Sequence, residues 1–201
     1  MNIELEGGCG FDLDNTLIDY TPSLPRILEV FGLDPKMSRE QIRGLYQKND
    51  GNDDLWQEIQ SSIYSVGLNG AIVSNGAIDC IKHLAANGHE LFIVSHKTRT
   101  TQKRFGGVNL HSLAKAWISN SEIPYQFELG RNLFFCETLD EKITTIRRLG
   151  MSLFVDDLAK VLKHPDFPIS TIGWHFVPEG TDPTFHENSG DFVELLRKLE
   201  E

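Results

Sequence analysis

The chain contains few cysteines, and their number and spacing exclude two classes of protein. Three cysteines stand far apart among the 201 residues, at Cys9, Cys80 and Cys136. They are too few and too scattered for a disulfide framework or a cysteine-ligated zinc site, and an odd count is typical of a reducing compartment. Cys9 lies within a predicted strand, so we expect a buried apolar side chain there rather than a nucleophile.

Basic residues are also scarce, since 19 Lys and Arg stand against 29 Asp and Glu and the formal net charge is -10. Nucleic acid polymers and anionic membranes bind through basic patches, so neither is expected as a partner. The charge does not exclude a small phosphorylated metabolite, because a metal ion and a few local cations hold a phosphate inside an acidic protein. The sequence indicates no particular oligomeric state.

Long hydrophobic runs are absent as well. The sequence has no stretch of 18 apolar residues and no basic segment followed by an apolar one near residue 1. We therefore expect a soluble, cytoplasmic protein. A composition of 40% hydrophobic and 24% charged residues is ordinary for a globular protein, and the length fits one domain or a domain with a small insertion.

The sequence does contain a pair of aspartates two residues apart, in Asp12-Leu13-Asp14-Asn15-Thr16. If the apolar residues before them form a strand, the side chains at i and i+2 point to the same face. Two carboxylates so close repel each other, and a divalent cation such as Mg²⁺ relieves the repulsion. The alternative is a structural turn or helix cap, because Asp, Asn and Thr serve in both.

Strand and helix patterns alternate from residue 75 onward, which predicts a parallel sheet covered by helices on both faces. Residues 22–67 have helical periodicity, with a capping-box start at Ser38 and Gln41. Strands are predicted over 3–13, 91–94, 133–136, 153–155 and 169–174, and the remaining helices over 78–85, 111–118, 140–149 and 191–200.

Polar residues follow the predicted strands at one end. In parallel sheets covered by helices, ligands bind beyond the carboxyl ends of the strands, so we expect these side chains to converge on one site. They are Asp12, Asp14, Ser95, Glu137, Asp156, Asp157 and His175.

These positions resemble the four motifs of the haloacid dehalogenase (HAD) superfamily, in the family's order and over nearly the whole chain. The first motif resembles Asp12-Leu13-Asp14-Asn15-Thr16, the second Ser95, the third Lys142 and the fourth Asp156-Asp157. The resemblance implies an α/β fold with a three-layer, Rossmann-like parallel sheet. It also implies two parts: a HAD-like core of residues 1–20 plus 75–201, and a small helical cap of residues 21–74.

The resemblance implies a role for each of these residues. Asp12 matches the nucleophile that attacks phosphorus to form an aspartyl-phosphate. Asp14 matches the general acid and base, Ser95 the hydroxyl that binds the transferring phosphoryl group, and Lys142 the cation that neutralises its charge. Lys97 and Lys115 are alternatives to Lys142.

The resemblance implies Mg²⁺ as the cofactor. The expected metal residues are Asp12, Asp14, Asp156 and Asp157, and in the family the second aspartate of the first motif contributes its backbone carbonyl. Asp157 is either a ligand or an orienting residue. Thr16 is expected to support the loop or to contact phosphate.

Substrate recognition is less well defined by the sequence. Candidate specificity residues in the cap are Arg26, Arg43, Lys48 and Trp56, with solvated or packing roles as the alternative. The segment 96–99 follows the second motif and carries a histidine, a lysine and an arginine, so it is either a second anion site or a solvated loop.

The expected activity is Mg²⁺-dependent hydrolysis of a small phosphomonoester through an aspartyl-phosphate. Dehalogenation is not expected, because the halide-removing branch of the family lacks the second aspartate that Asp14 supplies here. One alternative is a phosphomutase with the same motifs, which would return the phosphoryl group to the substrate. The other is a HAD-fold binding protein without turnover.

Overall fold

The computed structural model describes residues 4–38, 41–42, 44, 53–101, 106–123, 131–178 and 188–201, with the backbone alone over 53–57. The chain forms two compact units. The first comprises Met1–Ile18, Val73–Thr98 and Ile118–Glu201, and the second comprises Asp19–Ile72 and Arg99–Trp117. The predicted role of residues 21–74 as a cap remains a prediction.

A six-stranded parallel sheet forms the centre of the first unit, as the alternating pattern predicts. Its strand order is β5-β4-β1-β6-β7-β8, so β1 lies between β4 and β6. A separate two-stranded sheet pairs β2 with β3. The strands are β1 Gly8–Phe11, β2 Ile18–Asp19, β3 Ile72–Val73, β4 Leu91–His96, β5 Leu133–Cys136, β6 Met151–Asp156, β7 Ile172–Phe176 and β8 Ser189–Gly190.

Helices flank this sheet, as expected of a three-layer α/β fold. On one face, side chains of the sheet strands pack with Ile143 and Ile146 of one helix and Val161 of another. Phe192 of the last helix contacts the rings of Phe11 and Phe176. The helices are α1 Leu24–Val30, α2 Asp53–Ile63, α3 Ala77–Ala86, α4 Leu110–Asn120, α5 Leu139–Arg148, α6 Ala159–Leu162 and α7 Phe192–Glu200, with a 3-10 turn at Val66–Gly70.

The glycine-rich start of β1 has a packing reason. A Cβ atom on Gly10 would lie 2.3 Å from the Met151 sulfur and 2.7 Å from the Phe154 ring, and one on Gly8 would lie 2.6 Å from the Phe92 ring. Glycine therefore lets large side chains of both neighbouring strands cross over β1. Glycine weakens a strand, and the close packing of these side chains against β1 offsets that loss of stability.

The second unit contains the predicted helical segment in part. Ser38 and Gln41 make the reciprocal capping-box bonds, since the Gln41 N–H donates to Ser38 Oγ and the Ser38 N–H donates to Gln41 Oε1. Ser23 Oγ donates to the Gly67 carbonyl, and the rings of Tyr20 and Tyr64 lie 5.5 Å apart. Arg43 and Lys48 lie outside the described residues, as does the side chain of Trp56.

The strand predicted over 169–174 begins later than the sequence indicates. Ile169 is fully exposed, and the Thr171 N–H donates to the Pro168 carbonyl in a turn, so the strand starts only at Ile172. The apolar pattern cannot separate Ile169 from the buried residues after it. Two short elements, α6 and β8, have no recognisable signal in the sequence. Among the described residues, no helix is long and apolar enough to span a membrane.

The N-cap of α5 provides a test of this architecture, because that helix carries Lys142. Thr138 is extended, and its side chain accepts a bond from the Glu141 N–H at 3.1 Å. We expect Thr138→Ala to lower the free energy of unfolding by about 1 kcal/mol. Thr138→Ser keeps the hydroxyl and should remain close to wild type. Urea unfolding of the three proteins checks this, and an equal loss in both variants would contradict the capping role.

Candidate active site

The first motif forms a tight loop directly after β1. The N–H of Asp12 still donates to the Val155 carbonyl of β6, and then the N–H groups of Leu17 and Ile18 both donate to the Leu13 carbonyl. Asn15 has a φ of +64°, a left-handed conformation that asparagine adopts more readily than most residues. The loop thus places Asp12 and Asp14 at the carboxyl end of the central strand.

Lys142 joins the first and fourth motifs. Its Nζ donates to Asp12 Oδ1 and to Asp156 Oδ2, both at 2.6 Å. The lysine is 1% exposed, and Asp156 is fully buried. The ammonium also lies 5.3 Å from the centre of the Phe154 ring, which forms an apolar wall beneath the pair. One cation from α5 therefore holds together the ends of β1 and β6.

These buried charges change the pKa values of both partners. Burial raises the pKa of Asp12 from 3.8 to about 7; Lys142 opposes this shift, while Asp156 and Asp14 add to it. Burial also opposes the charge on Lys142, but the carboxylates of Asp12 and Asp156 raise its pKa above the ordinary value. One lysine therefore does not offset the cost of keeping all the clustered carboxylates ionised. Additional positive charge would favour the ionised form of Asp12.

Three carboxylates converge closely enough to hold a metal ion. Oxygens of Asp12, Asp156 and Asp157 all lie within 4.8 Å of one another. If all three are ionised, Lys142 leaves two negative charges, which one divalent cation would balance. Oxygen donors alone are a set that suits Mg²⁺. The Asp14 carboxylate is not in this group, and its expected contribution through the backbone remains a prediction.

The acidic pair of the fourth motif is anchored from three sides. Asp156 Oδ1 accepts from the Leu158 N–H at 2.8 Å. The Asp157 N–H donates to Thr16 Oγ1 at 3.1 Å, and His175 Nε2 lies 3.2 Å from the Asp157 carbonyl. Thr16 therefore supports the loop, one of the two roles expected of it. His175 is an orienting residue whose side-chain role the sequence does not indicate.

Ser95 carries a buried hydroxyl that has no hydrogen-bond partner within the described part of the chain. The residue is 1% exposed at the carboxyl end of β4, next to β1, and its Oγ has no hydrogen-bond partner among the described residues. Phe11 pairs with Ile93, so Ser95 lies two positions further toward the loop that bears the aspartates. Buried hydroxyls are nearly always hydrogen-bonded, so a water or a ligand oxygen is the expected partner of this one.

A second buried lysine pairs with the second aspartate. Lys97 Nζ lies 2.7 Å from Asp14 Oδ2, and the lysine side chain is 2% exposed. Lys97 and Lys142 therefore serve different carboxylates, whereas the sequence leaves them as alternatives for one role. Lys115 is exposed on α4. Within segment 96–99, Lys97 is buried, whereas His96, Thr98 and Arg99 are exposed, so both interpretations of the segment stay predictions.

One other polar residue that follows a strand, Glu137, makes local contacts. The Glu137 carbonyl lies 3.3 Å from His96 Nε2, and the Glu137 N–H donates to Glu141 Oε2. Glu137 therefore helps to begin α5, and these contacts do not place it among the converging carboxylates. Arg26, the described one of the cap candidates, is exposed.

Comparisons with known proteins identify the fold. A haloacid dehalogenase-like hydrolase from Streptococcus pneumoniae matches 96% of this chain and 90% of its own, with 16% identity and a TM-score of 0.58. The match to a HAD hydrolase from Entamoeba histolytica covers 98% of this chain and 100% of that protein, with 11% identity and a TM-score of 0.59. A HAD family hydrolase from Deinococcus radiodurans, with bound phosphate and sodium, matches 94% and 92%, with 13% identity and a TM-score of 0.56.

At these identities the likeness shows the fold, and the chain has the fold of the HAD-like hydrolases. This confirms the fold class that the four motifs imply. No protein-family model matches the chain, and no curated protein matches it.

The raised pKa of Asp12 predicts how stability depends on pH. The folded state favours the neutral carboxyl, so this contribution to stability is complete below the ordinary pKa and is lost as pH rises through about 7. In EDTA, we expect the melting temperature of wild type to fall relative to that of Asp12→Asn as the pH rises from 5 to 8. Melting curves of both proteins across that range measure the difference. A difference that is constant with pH, or that favours wild type at high pH, would contradict the raised pKa.

Proposed function

We propose that this protein is a Mg²⁺-dependent phosphatase that hydrolyses a small phosphomonoester through an aspartyl-phosphate on Asp12. The observation that carries the proposal is the pair of bonds from Lys142 to Asp12 and Asp156, within a cluster of three carboxylates. A phosphoryl group in transfer carries negative charge spread over its oxygens, so catalysis depends on positioning and positive charge. A structural ion pair alone would not require the third carboxylate of the cluster. Nor would it require the buried Ser95 hydroxyl at the end of the neighbouring strand, which has no partner among the described residues.

The proposed reaction has two steps. In the first, a carboxylate oxygen of Asp12 bonds to phosphorus as the bond from phosphorus to the ester oxygen breaks, and Asp14 gives its proton to the leaving oxygen. In the second, Asp14 takes a proton from water as the water oxygen attacks phosphorus. This releases inorganic phosphate and restores the Asp12 carboxylate.

The other residues stabilise charge during both steps. Lys142 holds the Asp12 carboxylate in one orientation and neutralises part of its charge. The Ser95 hydroxyl would donate to a phosphoryl oxygen, which would satisfy the buried polar atom. Asp12, Asp156 and Asp157 would hold Mg²⁺. Bound there, the ion supplies charge that lets an anionic nucleophile and an anionic phosphate approach each other.

The proposed substrate is a small phosphorylated metabolite, and the proposed location is the cytoplasm. The net charge of -10 argues against nucleic acid polymers and membranes as partners. Phosphomutase activity uses the same residues for the first step. A requirement for a bisphosphate activator, with the phosphoryl group returned to the substrate, would assign that alternative instead.

The first test is hydrolysis of a panel of phosphomonoesters with Mg²⁺ and with EDTA. We expect phosphate release that requires Mg²⁺ in wild type, and a loss of at least about 10³-fold in Asp12→Asn, because no carboxylate remains to attack. Asp166→Asn, which changes an exposed aspartate, is the matched control and should retain activity. Activity retained in Asp12→Asn would contradict the nucleophile. No turnover by wild type would favour the binding-protein alternative.

Ser95 offers a test that separates activity from stability. Its hydroxyl has no partner among the described residues, so Ser95→Ala should leave the free energy of unfolding within about 0.5 kcal/mol of wild type. Loss of a bond to a charged phosphoryl oxygen should lower kcat/KM by about 10- to 100-fold.

The control for Ser95 is another buried serine whose hydroxyl is bonded. Ser74 Oγ donates to the Thr16 carbonyl, so Ser74→Ala should destabilise the protein by about 1 kcal/mol. Urea unfolding and steady-state kinetics of both variants complete the comparison. Ser95→Ala that loses as much stability as Ser74→Ala, or that keeps full activity, would contradict the phosphoryl-binding role.

A further inference from the structure

Among the described residues, two buried lysines lie at the site, and the proposed phosphatase reaction gives a role only to Lys142. The four motifs include one lysine, whereas the structure places Lys97 in a second, separate ion pair. Lys97 Nζ lies 2.7 Å from Asp14 Oδ2, and the two side chains are 2% and 10% exposed. A lysine is almost never this buried unless its charge is paired.

The sheet determines where Lys97 lies. It follows β4, the strand that pairs with β1, and its N–H donates to the Cys136 carbonyl at the end of β5 at 3.0 Å. Its backbone is therefore fixed by a third strand while its side chain reaches the loop after β1. Ser95, two residues earlier in β4, carries the unsatisfied hydroxyl. The end of β4 thus supplies two groups to the site.

Each aspartate of the first motif forms an ion pair with a different lysine. Lys142 pairs with both Asp12 and Asp156, and Lys97 pairs with Asp14. The two carboxylates are two residues apart and both are buried, so each would otherwise compete for the same cation. Separate cations keep the side chain of Asp14 in an orientation that is independent of Asp12.

We propose that Lys97 is the positioning residue for Asp14, a role that rests on the proposed phosphatase function. A lysine ammonium has three donors and no acceptor. Its contact with Oδ2 therefore directs the proton of a neutral Asp14 to the other oxygen, Oδ1. Lys97 thus fixes both the orientation of the carboxyl group and the oxygen from which the leaving group is protonated.

This role predicts a dependence on the leaving group. An alkyl phosphate must receive a proton as its ester oxygen departs, and it depends on a well-placed Asp14. The 4-nitrophenolate of 4-nitrophenyl phosphate departs with the bonding electron pair and needs no proton. A residue that acts through Asp14 should matter for the first substrate and not for the second.

The experiment measures kcat/KM for Lys97→Met with an alkyl phosphate that wild type hydrolyses and with 4-nitrophenyl phosphate. The value of kcat/KM reports the steps up to departure of the leaving group. We expect a loss of about 100-fold with the alkyl phosphate, in the range of general acid catalysis, and of less than roughly threefold with the aryl phosphate. Lys97→Arg keeps the charge and should recover part of the loss. Lys115→Met, which removes an exposed lysine, is the matched control.

The Asp14→Asn background shows whether Lys97 acts through Asp14. Asp14→Asn alone should produce the same selective loss, and adding Lys97→Met should lower kcat/KM little further, because residues that act as a unit are not additive. The double variant also removes the buried Asp14 carboxylate whose ion pair with Lys97 the single Lys97→Met change breaks. Its melting temperature should therefore exceed that of Lys97→Met, which keeps the test interpretable where the single variant is unstable.

The outcomes distinguish this proposal from the proposed function. Equal losses with both substrates, full additivity with Asp14→Asn, or no loss at all would overturn the positioning role and leave the phosphatase function intact. No Mg²⁺-dependent turnover by wild type would overturn the phosphatase function, and the positioning role with it. A selective loss that Lys97→Arg recovers in part supports both.

Discussion

The contact on which the site depends is the double hydrogen bond from Lys142 to Asp12 and Asp156. All three side chains are buried, where an unpaired charge costs several kcal/mol, so each requires the others. The bond places an ammonium from α5 between the ends of β1 and β6, the two strands that carry the acidic motifs. The same two strand ends are also joined by the bond from the Asp157 N–H to Thr16 Oγ1. Three carboxylates then lie close together, with more negative charge than one lysine neutralises.

The strands and helices of the first unit follow largely from the sequence, because their patterns are locally clear. Solid apolar runs at 91–94 and 153–155 correspond to buried parallel strands, and the run at 133–136 corresponds to an edge strand that is only partly buried. Thr138 and Asp191 begin helices by capping. Gly8 and Gly10 are the exception. Glycine weakens a strand on propensity alone, and only the position of Met151, Phe154 and Phe92 explains why glycine is needed there.

The side-chain pairs of the site are only partly predictable. Periodicity indicates which residues follow the strands, but it does not indicate which lysine reaches which carboxylate. Lys142 and Lys97 are separated by 45 positions and come from different elements, and their partners depend on strand order, which places β1 between β4 and β6. The contact of His175 with the Asp157 carbonyl is equally hard to predict from the sequence, because it requires β7 to lie beside β6.

The central claim is that Asp12 forms the covalent intermediate, and chemical trapping tests it most directly. The enzyme is mixed with Mg²⁺ and a substrate it hydrolyses, quenched within the turnover time, and reduced with sodium borohydride, which converts an aspartyl-phosphate to homoserine. Peptide mass spectrometry then locates the modified residue. We predict homoserine at position 12 and no modification without substrate. Modification at another aspartate, or none under turnover conditions, would contradict the claim.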